Sequence, residues 1–501
     1  MAAWLAFTLF MVARHVMWRD EVRALSLAIN GRNMGEMLVG LRGEGHPALW
    51  YLILRTAHAI YPNPQILAAV ALLIGTGWVA ILVLRAPFRP AAIALIMFSG
   101  FGLYEYTIMA RNYGIAILLL FILTASYRRM RDGMIIIPLL LFLLCNSNVH
   151  GIILSGSMFL FLYMDKSEQK GWISSLRDHG IIISGIAILL GVCTCYWEVS
   201  FPLQDAVHTL PLPSLAERME RFAGWILLPG LSFHALEPRI PGALLSILLW
   251  LSLAGLAFRP GLLAAGLSVQ VGMTALFAFV YPGGYRHAAL YCALLITLYW
   301  LGLEGFGGRW PDPLRKFSGM FARWRKIGCA AILTLLAIQV PRSVEAMRDL
   351  AQGHPESSAA ALGQLLSRPD LRNAIVLGDP DFHLETLAYY AANPTYFIRE
   401  GRYGRVVHFT RKARLDISLG DILSAARDQA RLHGRPAVIL LEDPVETVSV
   451  PTVWKKGYVW TLRTTPQQAR AFLSATIRLH RFEGSSTDEN YTAYLLRTPN
   501  P

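Results

Sequence analysis

Two adjacent carboxylates, Asp20 and Glu21, follow the first apolar segment of the chain, and arginines occupy positions 19 and 23 beside them. A carboxylate in a partly dehydrated site can act as a general base towards a hydroxyl group. An arginine such as Arg23 favours the ionised form of that carboxylate, because opposite charges attract. An amphipathic interfacial helix with solvated charges is the alternative, and this stretch fits both interpretations equally.

Four further groups of polar residues lie where apolar segments begin or end: Gly43–Pro47 with His46, Tyr104–Tyr113 with Arg111, Asn146–His150, and Tyr281–His287. Charged residues at such places in a membrane protein are functional candidates by default. Arginine binds phosphate through a planar fork of N–H donors and stays charged. Two glycines lie just before Arg286 and His287, so backbone N–H groups and cationic side chains together predict an anion site there.

Each of these groups also has a purely structural interpretation. His46 fits a helix cap, and Arg111 with its neighbouring tyrosines fits a side chain that reaches the membrane interface within an aromatic belt. Residues 146–150 fit a hairpin loop, and residues 281–287 fit a turn. Taken together, however, the groups place one carboxylate pair and several phosphate-binding cations near one membrane face. That combination is typical of an enzyme that moves a group from a lipid phosphate.

The composition indicates a membrane protein. Of 501 residues, 54% are hydrophobic and 16% are charged, whereas a soluble domain has about 25% charged residues. The apolar residues form long runs between residues 1 and 341, which predicts a polytopic α-helical membrane protein. The net charge of +13 lies largely in short loops, so we interpret it as cytoplasmic anchoring and expect no nucleic acid partner.

We expect about 11–13 transmembrane helices, within 1–13, 46–61, 65–84, 91–106, 112–127, 134–146, 149–164, 180–197, 241–258, 260–281, 286–304 and 327–340. A broken apolar piece at 222–236 contains Pro229 and fits a re-entrant segment. The basic loops 128–131, 166–177 and 309–326 belong in the cytoplasm. We then expect the first loop, 14–45, and Arg111 on the same, outer side. Three apolar segments lie between them, and three crossings would put them on opposite sides, so one segment among 46–106 does not span.

Residues 342–501 form a second, soluble domain in this interpretation, separate from the membrane domain 1–341. Strands are predicted at 374–378, 394–398, 406–409 and 437–441, and helices at 382–392 and 421–432. Alternating strands and helices predict a compact α/β domain, which the orientation of the last segment exports from the cytoplasm. Asp379, just after the first of these strands, is expected either to cap the next helix or to contact an acceptor.

The chain resembles the GT-C superfamily of membrane glycosyltransferases in three runs: Trp18-Arg19-Asp20-Glu21-Val22-Arg23-Ala24, His46-Pro47-Ala48-Leu49-Trp50-Tyr51-Leu52 and Arg111-Asn112-Tyr113. The similarity is greatest to the branch of protein O-mannosyltransferases and the aminoarabinose transferase of lipid A. Two departures leave the donor sugar open. The family often has prolines or a lysine where this chain has His46-Pro47-Ala48, and an acidic residue where it has Ala110.

The resemblance implies sugar transfer from a polyprenyl-phosphate donor to an acceptor hydroxyl, by a single inverting displacement with Asp20 as base. The expected site comprises the catalytic residues Asp20 and Glu21, the donor phosphate ligands Arg111, Arg286, His287 and Tyr113, and the substrate-binding residues Arg23, His46, His150 and Tyr285. Two adjacent carboxylates could hold Mg²⁺ or Mn²⁺. Members of this branch generally use no metal, so we expect no metal and no other cofactor.

Three acceptor classes stay open, namely envelope lipid, glycan and protein. The expected location is the inner membrane of a bacterium, among membrane lipids. A transporter or flippase of lipid-linked sugars is one alternative, but transporters place charges near the bilayer midplane between repeats, and no repeat is visible here. A non-catalytic component of an envelope assembly is the other alternative.

Overall fold

The structure, a computed structural model, describes residues 1–200, 213–457 and 459–497. The cytoplasmic loops predict that residues 197–221 lie on the outer side, and part of this segment is outside the described residues. Helices dominate the first 352 residues: α1 (Ala2–Val12), α2 (Arg19–Ala28), α3 (Met34–Gly40), α4 (Leu49–Ile60), α5 (Ile66–Arg85), α6 (Pro90–Phe98), α7 (Tyr113–Met130), α8 (Ile136–Cys145), α9 (Val149–Lys170), α10 (Trp172–Leu176), α11 (His179–Val199), α12 (Leu215–Leu227), α13 (Pro229–Ser232), α14 (Gly242–Ala254), α15 (Pro260–Phe279), α16 (Tyr285–Leu303), α17 (Asp312–Arg315), α18 (Ser318–Ala337) and α19 (Val340–Gln352).

Each apolar segment predicted from the sequence contains one of these helices. Within the described residues, six helical stretches are long and apolar enough to cross a membrane: α5, α7, α11, α15, α16 and the continuous run 318–352 of α18 and α19. Shorter apolar helices include α1, α8 and α14. The predicted re-entrant piece breaks at Leu228, between α12 and α13. The prediction of a polytopic helical membrane protein is confirmed.

The helices carry two sets of polar residues at opposite ends. The three loops predicted to be cytoplasmic meet at one end, where Arg128 lies 3.9 Å from Glu304 and Arg309 lies 3.2 Å from Glu168. Helices α7, α9 and α16 run from this end to the other, where residues 111–113, 150 and 285–287 lie. The candidate site residues therefore share one end of the bundle, as the sequence predicts.

Helix α4 is the segment that does not span. His46, just before α4, contacts Arg111, so an even number of crossings must separate these two residues. Three helices intervene, and α5 is a full-length span. Helix α4 has 12 residues and α6 has 9, so both are shorter than the ~30 Å hydrocarbon core requires, and the contacts of α4 distinguish the two. Its Arg55 donates to the carbonyls of Ala28 and Asn30 at the end of α2, which holds α4 along the first loop.

The C-terminal part contains α20 (Ala359–Leu366), β1 (Ile375–Asp379), α21 (Leu387–Tyr390), β2 (Thr395–Phe397), β3 (Arg402–Tyr403), β4 (Asp416–Ser418), α22 (Leu419–His433), β5 (Ala437–Leu441), β6 (Thr452–Lys455), β7 (Thr461–Thr464), α23 (Pro466–Ala475), β8 (Thr476–Phe482) and β9 (Tyr491–Leu496). Six strands form one sheet in the order β3-β2-β1-β5-β9-β8, with β2, β1 and β5 parallel. Strands β4, β7 and β6 form a small second sheet. The predicted α/β domain is confirmed.

The large sheet has an apolar core on both faces. Ile375 and Leu377 of β1 pack in the same core as Ile422 of α22, whereas Val376 packs with Leu362 of α20. Successive side chains of a strand point to opposite faces, so β1 serves both cores and reads as a continuous apolar run. Strands β1, β2 and β5 and helix α22 therefore lie where the sequence predicts them.

Two predictions for this domain are wrong. Residues 406–409 form no strand, because side chains take their backbone groups: the N–H of Val407 donates to Glu385 at 2.5 Å, and the Val407 carbonyl accepts from Arg23 at 3.0 Å. The helix predicted at 382–392 is present, as a 3₁₀ segment at 381–386 that continues into the short α21. The second wrong prediction concerns the role of Asp379 as a helix cap. Asp379 caps no helix, since its Oδ1 accepts from Arg399 at 2.6 Å in a fully enclosed ion pair.

Candidate functional site

Asp20 and Arg111 form an ion pair at the end of the bundle where the candidate residues meet. The Oδ2 atom of Asp20 lies 2.6 Å from Nη1 of Arg111. The Nη2 group of Arg111 donates to Nε2 of His46 at 3.0 Å. Because guanidinium only donates, Nε2 of His46 accepts, and that nitrogen carries no proton. One arginine thus connects the first loop to the start of α4.

The first turn of α2 presents the Asp20 carboxylate. This helix begins at Arg19, and Asp20 is its second residue, close to the backbone N–H groups that face outward at a helix start. A negative charge is stabilised there by the helix dipole. The carboxylate of Glu21 accepts the backbone N–H of Trp18 at 3.2 Å and so fixes where the helix begins. The sequence Trp-Arg-Asp-Glu therefore positions its aspartate through local helix geometry.

Glu21 points away from Asp20 and is fully buried. Consecutive helical residues are about 100° apart around the helix axis, so two adjacent carboxylates cannot share one ligand face. Glu21 lies 3.0 Å from Nε2 of His15 and accepts the backbone N–H of Ala110 at 2.6 Å. Asp20, whose side chain is 31% exposed, is the carboxylate of the pair that is open to a substrate.

Arg286, His287 and Tyr113 lie next to this ion pair. Arg286 pairs with Glu105 at 3.1 Å, and its guanidinium lies 5.5 Å from the ring centre of Trp18. His287 accepts the backbone N–H of Gly284 at Nδ1, 2.8 Å away, and its Nε2 lies 2.7 Å from the hydroxyl of Tyr113. A neutral His287 therefore carries its proton on Nε2 and donates it to Tyr113.

His150 extends this group of rings into the bundle. Its imidazole stacks on that of His287, with 4.9 Å between ring centres and 17° between planes. The side chain is 3% exposed, and neither ring nitrogen has a hydrogen-bond partner in the structure. A buried polar group without a partner is costly, so the site of His150 suits a ligand or water with a polar atom.

Two predicted substrate-binding residues have other contacts. Arg23 binds both carboxylate oxygens of Glu44, at 2.6 and 2.7 Å, and also pairs with Glu385 of the C-terminal domain. Arg23 also lines the cavity described below, where it connects the first loop to the C-terminal domain. Tyr285 is buried and donates to Gln339 at 2.8 Å, so its hydroxyl does not face Asp20 and Arg111. It precedes Arg286 on the same helix and therefore faces a different direction.

A cavity of about 820 Å³ lies between the first loop and the C-terminal domain. Its walls include Asp20, Arg23, Glu44, His46 and Arg111 from the membrane part, and Phe382, Glu385, Phe409, Lys412 and Asp488 from the C-terminal domain. Phe409 has φ of 49°, the left-handed region that bulky residues avoid, and such strain is typical of functional sites. The volume suits a small-molecule site.

Positive charge around Asp20 sets its protonation. Burial opposes ionisation of the carboxyl, but the guanidinium groups of Arg111, Arg19 and Arg286, in order of effect, outweigh it and lower the pKa of Asp20. Asp20 is therefore ionised at neutral pH and can accept a hydrogen bond from a hydroxyl. The effect of Arg286 also indicates that its charge lies close to Asp20.

The carboxylates of Asp20 and Glu21 do not converge on a cation. Asp20 faces Arg111, whereas Glu21 faces His15 and the backbone of Ala110. Across the described parts of the chain, no three His, Cys, Asp or Glu side chains are grouped as metal ligands. The residues present therefore do not fit a divalent cation at this carboxylate pair, and the absence of a metal requirement stays a prediction.

Several residues of the site have no signal in the sequence. Glu356, Asp488 and Glu489 contact the first loop from distant positions, and His15 is a residue of that loop that the sequence did not single out. The backbone N–H of Arg19 donates to Glu489 at 2.6 Å, and its guanidinium donates to Asp488 at 3.1 Å. No motif or spacing relates residues so far apart, although the run Asp488-Glu489 repeats the acidic pair of the first loop.

No protein-family model matches the chain, and no curated protein matches it. Among solved structures, the chain is similar to ArnT from Cupriavidus metallidurans, in a crystal structure bound to undecaprenyl phosphate and in one of the apo state. Each match covers 99% of this chain and 96% of that chain, with 11% sequence identity and a TM-score of 0.49.

Proposed function

We propose that the protein transfers a sugar from a polyprenyl-phosphate donor to an acceptor hydroxyl at the outer face of a bacterial inner membrane. The observation that carries this proposal is the Asp20–Arg111 pair in an 820 Å³ cavity at the end of the helix bundle. In this pair, the ionised carboxylate of Asp20 can bind the acceptor, and the guanidinium of Arg111 beside it can bind the donor phosphate. The sequence resemblance to GT-C glycosyltransferases supports the same reaction.

Asp20 serves the acceptor. Its carboxylate accepts the hydroxyl proton as the acceptor oxygen attacks the anomeric carbon. The bond from that carbon to the phosphate oxygen breaks, and its electron pair leaves with the lipid phosphate. One displacement inverts the anomeric configuration. No second carboxylate is needed as a nucleophile, which agrees with Glu21 being enclosed among protein groups.

Arg111, Arg286 and Tyr113 serve the donor. Arg111 binds Asp20 and His46 through two of its N–H groups, and its guanidinium can also donate to a phosphate oxygen. Arg286 adds charge, and the Tyr113 hydroxyl, which accepts from His287, can direct its own proton at the phosphate. Fixed donors that face the developing charge of a leaving group stabilise the transition state without reorganisation.

The C-terminal domain closes the cavity over these groups. Phe382 and Phe409 line its roof, and Arg19 and Arg23 from the first loop lie 4.8 and 5.0 Å from their ring centres. Excluding water strengthens every interaction in the site and protects the donor from hydrolysis. We infer that this domain lies outside the cytoplasm and selects the acceptor, whether lipid, glycan or protein.

The test uses the full-length protein in proteoliposomes with a panel of radiolabelled polyprenyl-phosphate sugars and envelope extract. Wild type, Asp20→Asn and Arg286→Ala are compared, with the exposed Asp349→Asn as the matched control. We expect label to leave the donor lipid with wild type and Asp349→Asn. Asp20→Asn should lower the rate by about 10²–10⁴-fold, the usual contribution of a positioned acid or base.

Each other outcome points elsewhere. Equal transfer by wild type and Asp20→Asn would remove Asp20 from the mechanism. Movement of the intact donor lipid across the bilayer, with its sugar retained, would identify a flippase. Binding of envelope components without loss of label from any donor would identify an assembly component. An acceptor product with retained configuration would contradict the single displacement.

A further inference from the structure

Three side chains connect the C-terminal domain to the loop that carries Arg111. Glu356, between α19 and α20, places Oε2 3.2 Å from Nδ1 of His15, an ion-pair distance without hydrogen-bond geometry. The hydroxyl of Tyr104 lies 3.5 Å from the same nitrogen. The other ring nitrogen of His15, Nε2, lies 3.0 Å from Oε2 of Glu21. The Oε1 atom of Glu21 accepts the backbone N–H of Ala110 at 2.6 Å. The row of contacts therefore ends on the residue directly before Arg111.

The two carboxylates beside His15 favour its charged form. An imidazolium carries an N–H on both ring nitrogens, so it donates to Glu21 from Nε2 and turns a positive N–H towards Glu356 from Nδ1. The side chain of His15 is 1% exposed, and that of Glu21 is fully buried. Burial opposes the charge, but the two carboxylates outweigh it and raise the pKa of His15 to about 10. His15 is thus a cation held between two anions at neutral pH.

This row fixes the backbone from which Arg111 extends. Arg111 reaches Asp20 at 2.6 Å and His46 at 3.0 Å. A small movement of its backbone breaks both contacts, because hydrogen bonds weaken steeply with distance and angle. Glu356 is the member on the C-terminal side, at the boundary with α20. Its contact with His15 exists only while that domain is seated on the first loop.

We propose that Glu356, His15 and Glu21 are positioning residues, through which seating of the C-terminal domain holds Arg111 against Asp20. Glu21, expected from the sequence to act in catalysis, acts here on the backbone of Ala110 and not on the substrate. The coupling itself is a property of the fold. Its effect on sugar transfer rests on the proposed function.

The first measurement is amide hydrogen exchange of the intact protein, followed in peptides that cover residues 101–112. Glu21→Gln removes the charged acceptor and should speed exchange at Ala110 by about tenfold, as loss of a hydrogen bond to a charged group predicts. Glu356→Gln, which touches neither Ala110 nor Arg111, should speed the same amide several-fold. The control His354→Gln changes an exposed residue of the same segment and should leave exchange as in wild type.

The second measurement is the steady-state rate of sugar transfer. Glu356→Gln should lower kcat roughly tenfold with little change in the donor KM, because misplacement of a catalytic group acts on the transition state. Glu356→Asp keeps the charge and should recover part of that loss. Exchange in α16 serves as the internal measure of folding, and it should be equal in all variants.

Two results overturn the proposal. Exchange at Ala110 that responds to Glu21→Gln but not to Glu356→Gln would show that the C-terminal contact does not reach the loop. A fall in rate with Glu356→Gln that Glu356→Asp does not relieve at all, together with unchanged exchange, would do the same. If wild type transfers no sugar, the proposed function fails, while the exchange comparison still decides whether the coupling exists.

Discussion

Asp20 and Arg111 lie in contact, with 2.6 Å between carboxylate and guanidinium, although helices α3 to α6 separate them along the chain. The contact sets the charge state of both. Asp20 stays ionised, and in the proposed reaction Arg111 also binds the donor phosphate. A general base and a phosphate ligand that share one ion pair are coupled, so changes at either residue should affect both substrates.

Arg111→Lys should be severely impaired although it keeps the positive charge. A lysine offers one compact ammonium group, which cannot bind Asp20, His46 and a phosphate in the geometry of a planar fork. We expect kcat to fall roughly a hundredfold, the loss typical of one missing transition-state donor. The measurement is the transfer rate in proteoliposomes. Arg431→Lys, at an exposed position of α22, is the control, and equal rates for both variants would contradict the assignment.

Tyr113→Phe should weaken donor binding and leave the fold intact. The change removes the hydroxyl that lies 2.7 Å from Nε2 of His287 and leaves the ring nitrogen without its partner. Loss of one hydrogen bond of this kind corresponds to about a tenfold rise in KM for the donor. The donor KM is measured by varying the donor concentration in the transfer assay. Tyr403→Phe, on the edge strand β3, should show wild-type KM, and a rise there would indicate a nonspecific effect.

His15 should make the folded state more stable at neutral than at alkaline pH. Its pKa is raised to about 10 in the folded protein, from an ordinary value of 6.5. A raised histidine pKa stabilises the fold fully below 6.5, and this contribution disappears as the pH rises towards 10. The difference in Tm between wild type and His15→Gln should therefore shrink from pH 6 to pH 10. A difference that grows over this range would contradict the ion pairs with Glu21 and Glu356.

Glu385 should produce a pH dependence of the same sign at the domain junction, but in a more acidic range. Burial raises its pKa to about 7, against the opposing effect of Arg23. The folded state then binds the proton more tightly than the unfolded state, so stability falls as the pH rises from about 4.5 to 7. Glu385→Gln should flatten the thermal unfolding profile in this window. Burial also raises the pKa of Glu489 to about 7, so part of the slope should remain until Glu489→Gln is added.

The sequence predicted the fold class because its signals are local. Apolar runs gave every membrane helix, and alternating patterns gave β1, β2, β5 and α22 of the C-terminal domain. The strand predicted at 406–409 failed for a reason that is not local. Its apolar residues fit a strand, but Glu385 and Arg23 take the backbone groups of Val407 that a strand would use.

The sequence by itself also determined which residue types could do the chemistry, because Asp-Glu, Arg-x-Tyr and Gly-Gly-x-Arg-His each carry their chemical potential within a few residues. Only the tertiary structure decided their roles. It separates Asp20, open to the cavity, from Glu21, enclosed by His15 and Ala110, since neighbouring helical residues face different directions. It also pairs His15 with Glu356 and directs Tyr285 to Gln339. Contacts between residues distant in the chain follow from how helices and domains pack, and no local pattern encodes them.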